Sequence, residues 1–413
     1  MTHRSQVVLV LSLLVTACSS TRDLAPAPVE DLSSGVSADL SGAPAAAGDP
    51  RKAEVPLPAL SDDWRASLVF DNGATGIWTV ESFPVFEQYA CPEVIGLDDR
   101  GRAIICVSYS GKWTPFPIIE DGKWLGGLEH GDLDPRIDGA ELYTGGQLGN
   151  LYQVVPYPNG ALDQRLIARF PGREIHTLIG GDVDAAHEGA ELIVFTRPGG
   201  LFRVTADGPD GSFRTEQLQE LDGRVRDAVV LPRDPEDASL PPQIATVSRA
   251  GWLRLLTLTA DGPVWETVYK ANMGMGRLSV APHRKGSGLV LYTTHDDGRI
   301  LRHERRGGQW TQELIHISTQ GPRGVVAGHF DADPMVETLA VFSYGKKVEY
   351  LRRAPGEKWT VEEIFEDRGK GHWMARAEVD GRNGTDELIL SGYGGRIVLL
   401  SRQPGVGRAS GTN

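Results

Sequence analysis

Five basic or imidazole side chains recur along the chain at intervals of about fifty residues: His176, Arg226, Arg277, Arg323 and His372. Guanidinium and imidazole groups gathered in one place, within an otherwise acidic protein, would focus field onto an anion or a carbonyl-rich ligand. Tyr89 stands where an earlier copy of this pattern would fall. A second set is acidic: Asp132, Asp134, Asp138 and Glu141 return at one spacing as Asp182, Asp184, Glu188 and Glu191. Motifs for catalysis are missing: there is no Gly-x-Ser-x-Gly elbow, His-Glu-x-x-His, phosphate-binding loop or Cys-x-x-Cys. Scattered Tyr, His and Arg residues could serve a lyase, in which Tyr or His takes a proton α to a uronate carboxylate that Arg neutralises. Nothing in the sequence groups them, so no catalytic residue is assigned.

The elements that must position these groups are short strands. From Gly180 an acidic loop feeds the apolar run Leu192–Phe195, a Pro-Gly-Gly turn follows, and Leu201–Val204 returns, which is a hairpin. The unit begins again at 132, 182, 232, 282, 329 and 378, the mark of a repeat array. A Trp-led strand closes several units: Trp113, Trp310 and Trp359 each precede the next start by 19 residues, and Trp265 opens a looser copy. The last unit, ending in Arg396–Leu400, lacks this strand, whereas Trp64–Phe70 is a spare copy at the other end. One explanation fits both facts: the early strand completes the last unit and closes a ring, leaving only short edges exposed. The expected fold is therefore all-β, a seven-bladed β-propeller of four-stranded blades. Residues 76–90 read as an insertion able to supply a strand, which leaves eight blades open. In this ring the first strand of each unit lines a central channel. His176, Arg323 and His372 lie six residues before their repeat starts, with Arg226 and Arg277 within one position of that spacing. The Trp strands read as packing between blades rather than as a sugar platform.

The runs Gly131-Asp-Leu-Asp134 and Gly181-Asp-Val-Asp184, each followed by Glu-Leu, resemble the FG-GAP or VCBS repeats of integrin-α-like propellers over most of residues 90–403. That resemblance implies loops that bind Ca2+ through alternate carboxylates, since a hard cation takes about six to eight oxygens. The matching positions are Asp132, Asp134, Asp138 and Glu141, and Asp182, Asp184, Glu188 and Glu191. Arg136 and Ala186 depart from the pattern at its third ligand, and a third loop with Glu378, Asp380, Asn383 and Asp386 is shifted again. Bacterial surface and periplasmic binding proteins and some polysaccharide lyases carry such repeats.

The N-terminus reads as a targeting segment: Arg4, the apolar run Val7–Val15, then Val15-Thr-Ala-Cys18. The last four residues resemble the lipobox of bacterial lipoproteins, which implies cleavage after residue 17 and acylation of Cys18. Ser19 then favours the outer membrane. Residues 18–60, rich in Ser, Ala, Pro and Gly, read as a disordered tether, 61–403 as the propeller and 404–413 as a tail. Cleavage would remove Arg4 alone, leaving 41 basic against 55 acidic side chains, a net −14. Such a charge argues against nucleic acid as a partner and leaves the lipid as the only attachment to the membrane. Cys91 and Cys106 would remain as one candidate disulfide in an oxidising compartment. The expected function is a tethered binding or scaffolding lipoprotein of the bacterial envelope, with a protein or polysaccharide partner. The alternative is a carbohydrate-active propeller.

Overall fold

The computed structural model describes residues 55–403 except 74, 87–90, 110–111, 208–211, 233–240, 285–287, 319–320 and 380–383. These residues belong to one compact unit. They form strands and turns, and none of the described residues makes a helix long and apolar enough to cross a membrane.

The repeat folds as a four-stranded antiparallel sheet laid down from the inside outwards. Blade 3 shows the pattern with Glu174–Gly181, Glu191–Arg197, Gly200–Thr205 and Arg214–Glu220, each paired to the next. The second strand is buried on both faces up to Thr196, while the outermost is almost wholly exposed. The middle of each sheet is thus sandwiched between its neighbours, which is why these segments read as continuous apolar runs. Core clusters sit between successive sheets. Tyr143 and Leu151 of blade 2 pack with Ile175, Leu178, Val194 and Phe202 of blade 3. Each fully buried aliphatic or aromatic side chain of this kind contributes about 1.5–3 kcal/mol.

Seven sheets result. Each inner strand packs on the inner strands of its two neighbours, and Gly371–Ala377 of blade 7 returns to Ile77–Phe83 of blade 1. That first inner strand comes from the stretch read as an insertion, so it completes a seventh blade, and the described residues form no eighth. Closure occurs as expected: Trp64–Asp71 pairs antiparallel with Arg396–Arg402, Trp64 opposite Arg402. Trp64, 4% exposed, meets Tyr350 of blade 6 edge-on at 5.1 Å, so the closing strand is bolted to the neighbouring sheet as well as to its own. Val55–Leu57, within the stretch assigned to the tether, adds a fifth strand outside it. The other repeated tryptophans also pack on the inter-blade clusters: Trp113 is buried, and Trp265, Trp310 and Trp359 are partly buried.

Cys91 and Cys106 are not bridged to each other in this structure. Cys106 is a free thiol, fully buried opposite Val94, and burial raises its pKa. Cys91 packs at the side of the same apolar cluster.

Candidate ligand-binding mouth of the channel

Every inner strand breaks register with its neighbour near its start. The breaks fall between Ile77 and Thr79, Leu125 and Gly127, Ile175 and Thr177, Val225 and Asp227, Met275 and Leu278, Pro322 and Gly324, and Gly371 and Trp373. A bulge of this kind re-aims the extra residue's side chain. The residues so placed are Trp78, Gly126, His176, Arg226, Gly276 with Arg277, Arg323 and His372. All five basic positions singled out in the sequence therefore occupy one structural position around the ring. Blade 1 contributes Trp78 there, while Tyr89 lies outside the described residues.

Trp78, Gly126, His176, Arg226, Arg277 and His372 line a half-open cavity of about 150 Å³. Trp124, Arg224, Arg197 and Trp373 complete much of its wall. Gly126 makes room for an aromatic wall, because a Cβ there would come 2.6 Å from the Trp124 ring. The rings are held against one another: Trp78 meets His372 at 4.4 Å and Trp124 at 6.4 Å, and Trp124 meets His176 at 4.9 Å. Arg277 lies over the Trp373 ring at 4.0 Å, with its Nε donating to the Arg323 carbonyl at 3.2 Å and its Nη1 to the Arg226 carbonyl. Arg323 is drawn aside from the cavity: it and Arg226 both reach Asp296 Oδ1 at 2.8 Å.

Electrostatically the mouth is cationic over a layer of buried acids. Burial, then Arg277, Arg226 and Arg197, push Arg224 down to about 9. A guanidinium at that value still carries its charge at neutral pH, so a repelling cation is held in place. Its Nε is buried without a hydrogen-bond partner. Burial likewise lowers Arg277 to about 10 and holds His176 and His372 far below 6.5, so both imidazoles are neutral. His372 Nδ1–H donates to the Trp78 carbonyl at 2.6 Å, which leaves Nε2 as the acceptor. His176 Nε2 has no hydrogen-bond partner, its nearest carboxylate oxygen being on Glu174 at 3.5 Å. Beneath, burial raises Glu81 to about 8, Glu129 to about 7 and Asp227 to about 6. Glu81 accepts a hydrogen bond from Trp373 Nε1 at 2.9 Å.

A phenol pair borders this site. Arg323 Nε donates to the Tyr344 hydroxyl at 3.3 Å, and the Tyr344 and Tyr393 hydroxyls are 3.4 Å apart. Burial works to raise Tyr344, but the Tyr393 hydrogen bond and Arg323 together hold it below its ordinary value.

The acidic loops lie at the other end of the inner strands, and there the carboxylates are consumed by their own loops. Glu141 and Glu191 are fully buried. Glu191 Oε1 accepts the backbone N–H groups of Val183 and Asp184 at 2.8 and 2.6 Å, and Glu141 Oε2 accepts that of Leu133 at 3.2 Å. Glu93 and Glu387 do the same for Val85 and Val379. Asp134 is clamped by Arg136 through two bonds of 2.6 Å, and Asp184 pairs with Arg203. Asp132, Asp138, Asp182 and Glu188 point to solvent. Among the described residues no group of three or more His, Cys, Asp or Glu is arranged to hold a metal ion. The two loops thus do not gather their acids into a Ca2+ cage. Asp380 and Asn383 of the third loop, and Cys18, lie outside the described residues.

The mouth also contains residues that sequence reasoning passed over: Trp78, Trp124, Arg197 and Arg224. Trp124 and Arg224 share a signal, each standing eight residues before a repeat start.

No family model matches the chain, and no curated protein matches it. Its fold is similar to that in the crystal structure of Saccharomyces cerevisiae Sqt1, with a TM-score of 0.57 and 13% identity over 81% of this chain and 98% of that one. At that identity the likeness speaks for the fold alone. It agrees with the ring of seven sheets: the chain is a seven-bladed β-propeller.

Proposed function

We propose that this propeller is a binding module of the bacterial envelope, anchored by an acylated Cys18 and engaging its partner through the cationic mouth of the channel. One observation carries the reading: seven inner strands bulge at one position, and six of those bulges bring a residue to the wall of a single cavity. A fold needing only packing has no use for Arg224 beside three other guanidiniums, because like charges there cost stability. An anionic group on a partner, whether protein or polysaccharide, would relieve that repulsion.

The test is capture from the native envelope by the lipidated protein, comparing wild type with Arg224→Glu. Capture should fall at least tenfold with the folded state intact. Undiminished capture by the reversed-charge variant would remove the mouth from the reading. The anchor is tested separately by incorporation of labelled fatty acid, which should vanish in Cys18→Ser; an unlabelled wild type would sink the tether.

A second reading, a carbohydrate-active lyase, draws on the Tyr344–Tyr393 pair beside Arg323. A phenol held below its ordinary pKa next to a guanidinium suits proton abstraction α to a carboxylate. It requires an unsaturated product from a polyuronate, absorbing near the ultraviolet, that disappears in Tyr344→Phe. Absence of turnover leaves the binding module.

A further inference from the structure

Resting on the binding reading, we infer that the cavity seats one uronate residue, its carboxylate on Arg224 and its ring against Trp78 and Trp124. The argument begins with charge. Four guanidiniums line the cavity. Arg197 has Glu174 at 3.3 Å, Arg226 has Asp296 at 2.8 Å, and Arg277 sits in the field of Asp227. Arg224 lies in the field of Glu174, which Arg197 already engages; like Arg277 it has no ion pair among the described residues, and its buried Nε has no hydrogen-bond partner. Arg277 spends its donors on two backbone carbonyls, so Arg224 is the one of the four with a buried guanidinium donor left open to a ligand. A planar carboxylate matches the guanidinium fork.

Shape comes next. A half-open space of about 150 Å³ takes a single six-membered ring, with substituents reaching the open side. Indole rings from two blades stand in its wall at a tilt of 46°, giving the apolar faces against which the C–H edge of a pyranose packs.

The last point separates a sugar acid from an aromatic one. His176 is neutral, its side chain is 9% exposed, and its Nε2 has no hydrogen bond. His372 is also neutral, with Nε2 as its remaining acceptor. A hydroxyl satisfies either, since it both donates and accepts. A benzoate would leave both nitrogens desolvated and unpaired, and a site built with buried polar groups rejects the analogue that lacks their partners. One carboxylate, one ring and flanking hydroxyls describe a hexuronate, either free or as a residue of an acidic polysaccharide.

The experiment is a tryptophan-fluorescence titration of the full chain with sodium D-glucuronate, D-glucose, D-glucuronamide, benzoate and inorganic phosphate. Glucuronate should give a saturable change that weakens with salt. The four comparators should bind at least tenfold more weakly. Arg224→Gln should lose at least tenfold in glucuronate affinity while its melting temperature holds or rises, because a repelling cation has gone. Oligogalacturonate binding more tightly than the monosaccharide assigns the residue to a polymer; equal affinity assigns it to the free sugar. Benzoate or phosphate matching glucuronate, or an unchanged affinity in Arg224→Gln, overturns the inference. The two readings fail separately. If no uronate binds but Arg224→Glu still abolishes capture from the envelope, the ligand class falls and the mouth stands. If neither readout moves, both fall.

Discussion

The two ends of the inner strands make opposite use of charge. At the loop end, Glu93, Glu141, Glu191 and Glu387 reach back eight residues to accept N–H groups of their own loops, and Asp134 and Asp184 are matched by Arg136 and Arg203. Glu93, Glu141 and Glu191 each hold their loop through one oxygen, and their second oxygens are buried without a hydrogen bond. At the mouth, cations outnumber acids, and Arg224 Nε and His176 Nε2 are buried without partners. The lesson is that a cluster of ionisable residues in a repeat is not by itself a site. Charges answered by the backbone or by a neighbouring Arg hold the unit together, whereas guanidiniums that crowd one another leave a repulsion that a ligand can relieve.

Ring closure underlies both ends, so the largest effect should abolish the contrast. Deleting residues 55–71 removes the closing strand and Trp64 with it. We expect a loss of several kcal/mol by chemical denaturation, with loop and mouth failing together. A wild-type denaturation midpoint would show that closure is dispensable.

Next comes Glu191→Ala, which strands two buried N–H groups and should cost about 2–3 kcal/mol. Glucuronate affinity should be unchanged, because the mouth is at the far end of the strand. A joint loss of stability and affinity would mean the two ends are coupled.

Smaller again is the pH response. Burial raises Glu93, Glu129 and Glu191 to about 7 and Glu81 to about 8, above the ordinary 4.5. The folded state then keeps protons that the unfolded chain has released, so stability declines as pH climbs from 4.5 through about 8. His295 and His303 act in the other direction. Both are fully buried on Thr293, at 3.1 and 2.9 Å, and burial depresses them to about 4 and about 3. The unfolded chain takes up protons that they cannot, so stability also declines as pH falls below 6.5. Melting temperature should peak between 4.5 and 6.5. Glu191→Gln should flatten the alkaline limb; a limb of unchanged slope would remove Glu191 from it.

The smallest effects should come from the loop acids that face solvent. Asp138→Asn and Glu188→Gln should each move stability by no more than about 0.5 kcal/mol. Millimolar Ca2+ should leave the melting curve where it was; an upward shift would show that these loops gather oxygens after all.

Much of this is legible in the sequence itself. Closure could be read because Trp64–Phe70 is a spare copy of a strand that the last repeat lacks. The basic positions could be read because each keeps its distance from a repeat start. Trp78 could not, since its strand sits in a stretch that breaks the period. The partners of the loop acids could not be read either, for a different reason. Their spacing is that of a cation loop, but a Glu eight residues on folds back to the backbone, and Arg203 reaches Asp184 only through hairpin register. Pairing across strands is invisible to spacing along one.

The joint between the first and last strands also bears on how the chain matures. Trp64 meets Arg402, and Gln403 N–H donates to the Asp63 carbonyl at 2.8 Å, so the seventh sheet cannot be finished until residues 396–403 have been made. Contacts between the two extremities of a sequence are the slowest to form. Until then Trp64–Asp71 waits without its partner strand, an unpaired edge open to any passing strand. During synthesis the yield of native protein therefore hangs on one late encounter, and a weakened closing strand should show first as aggregated protein.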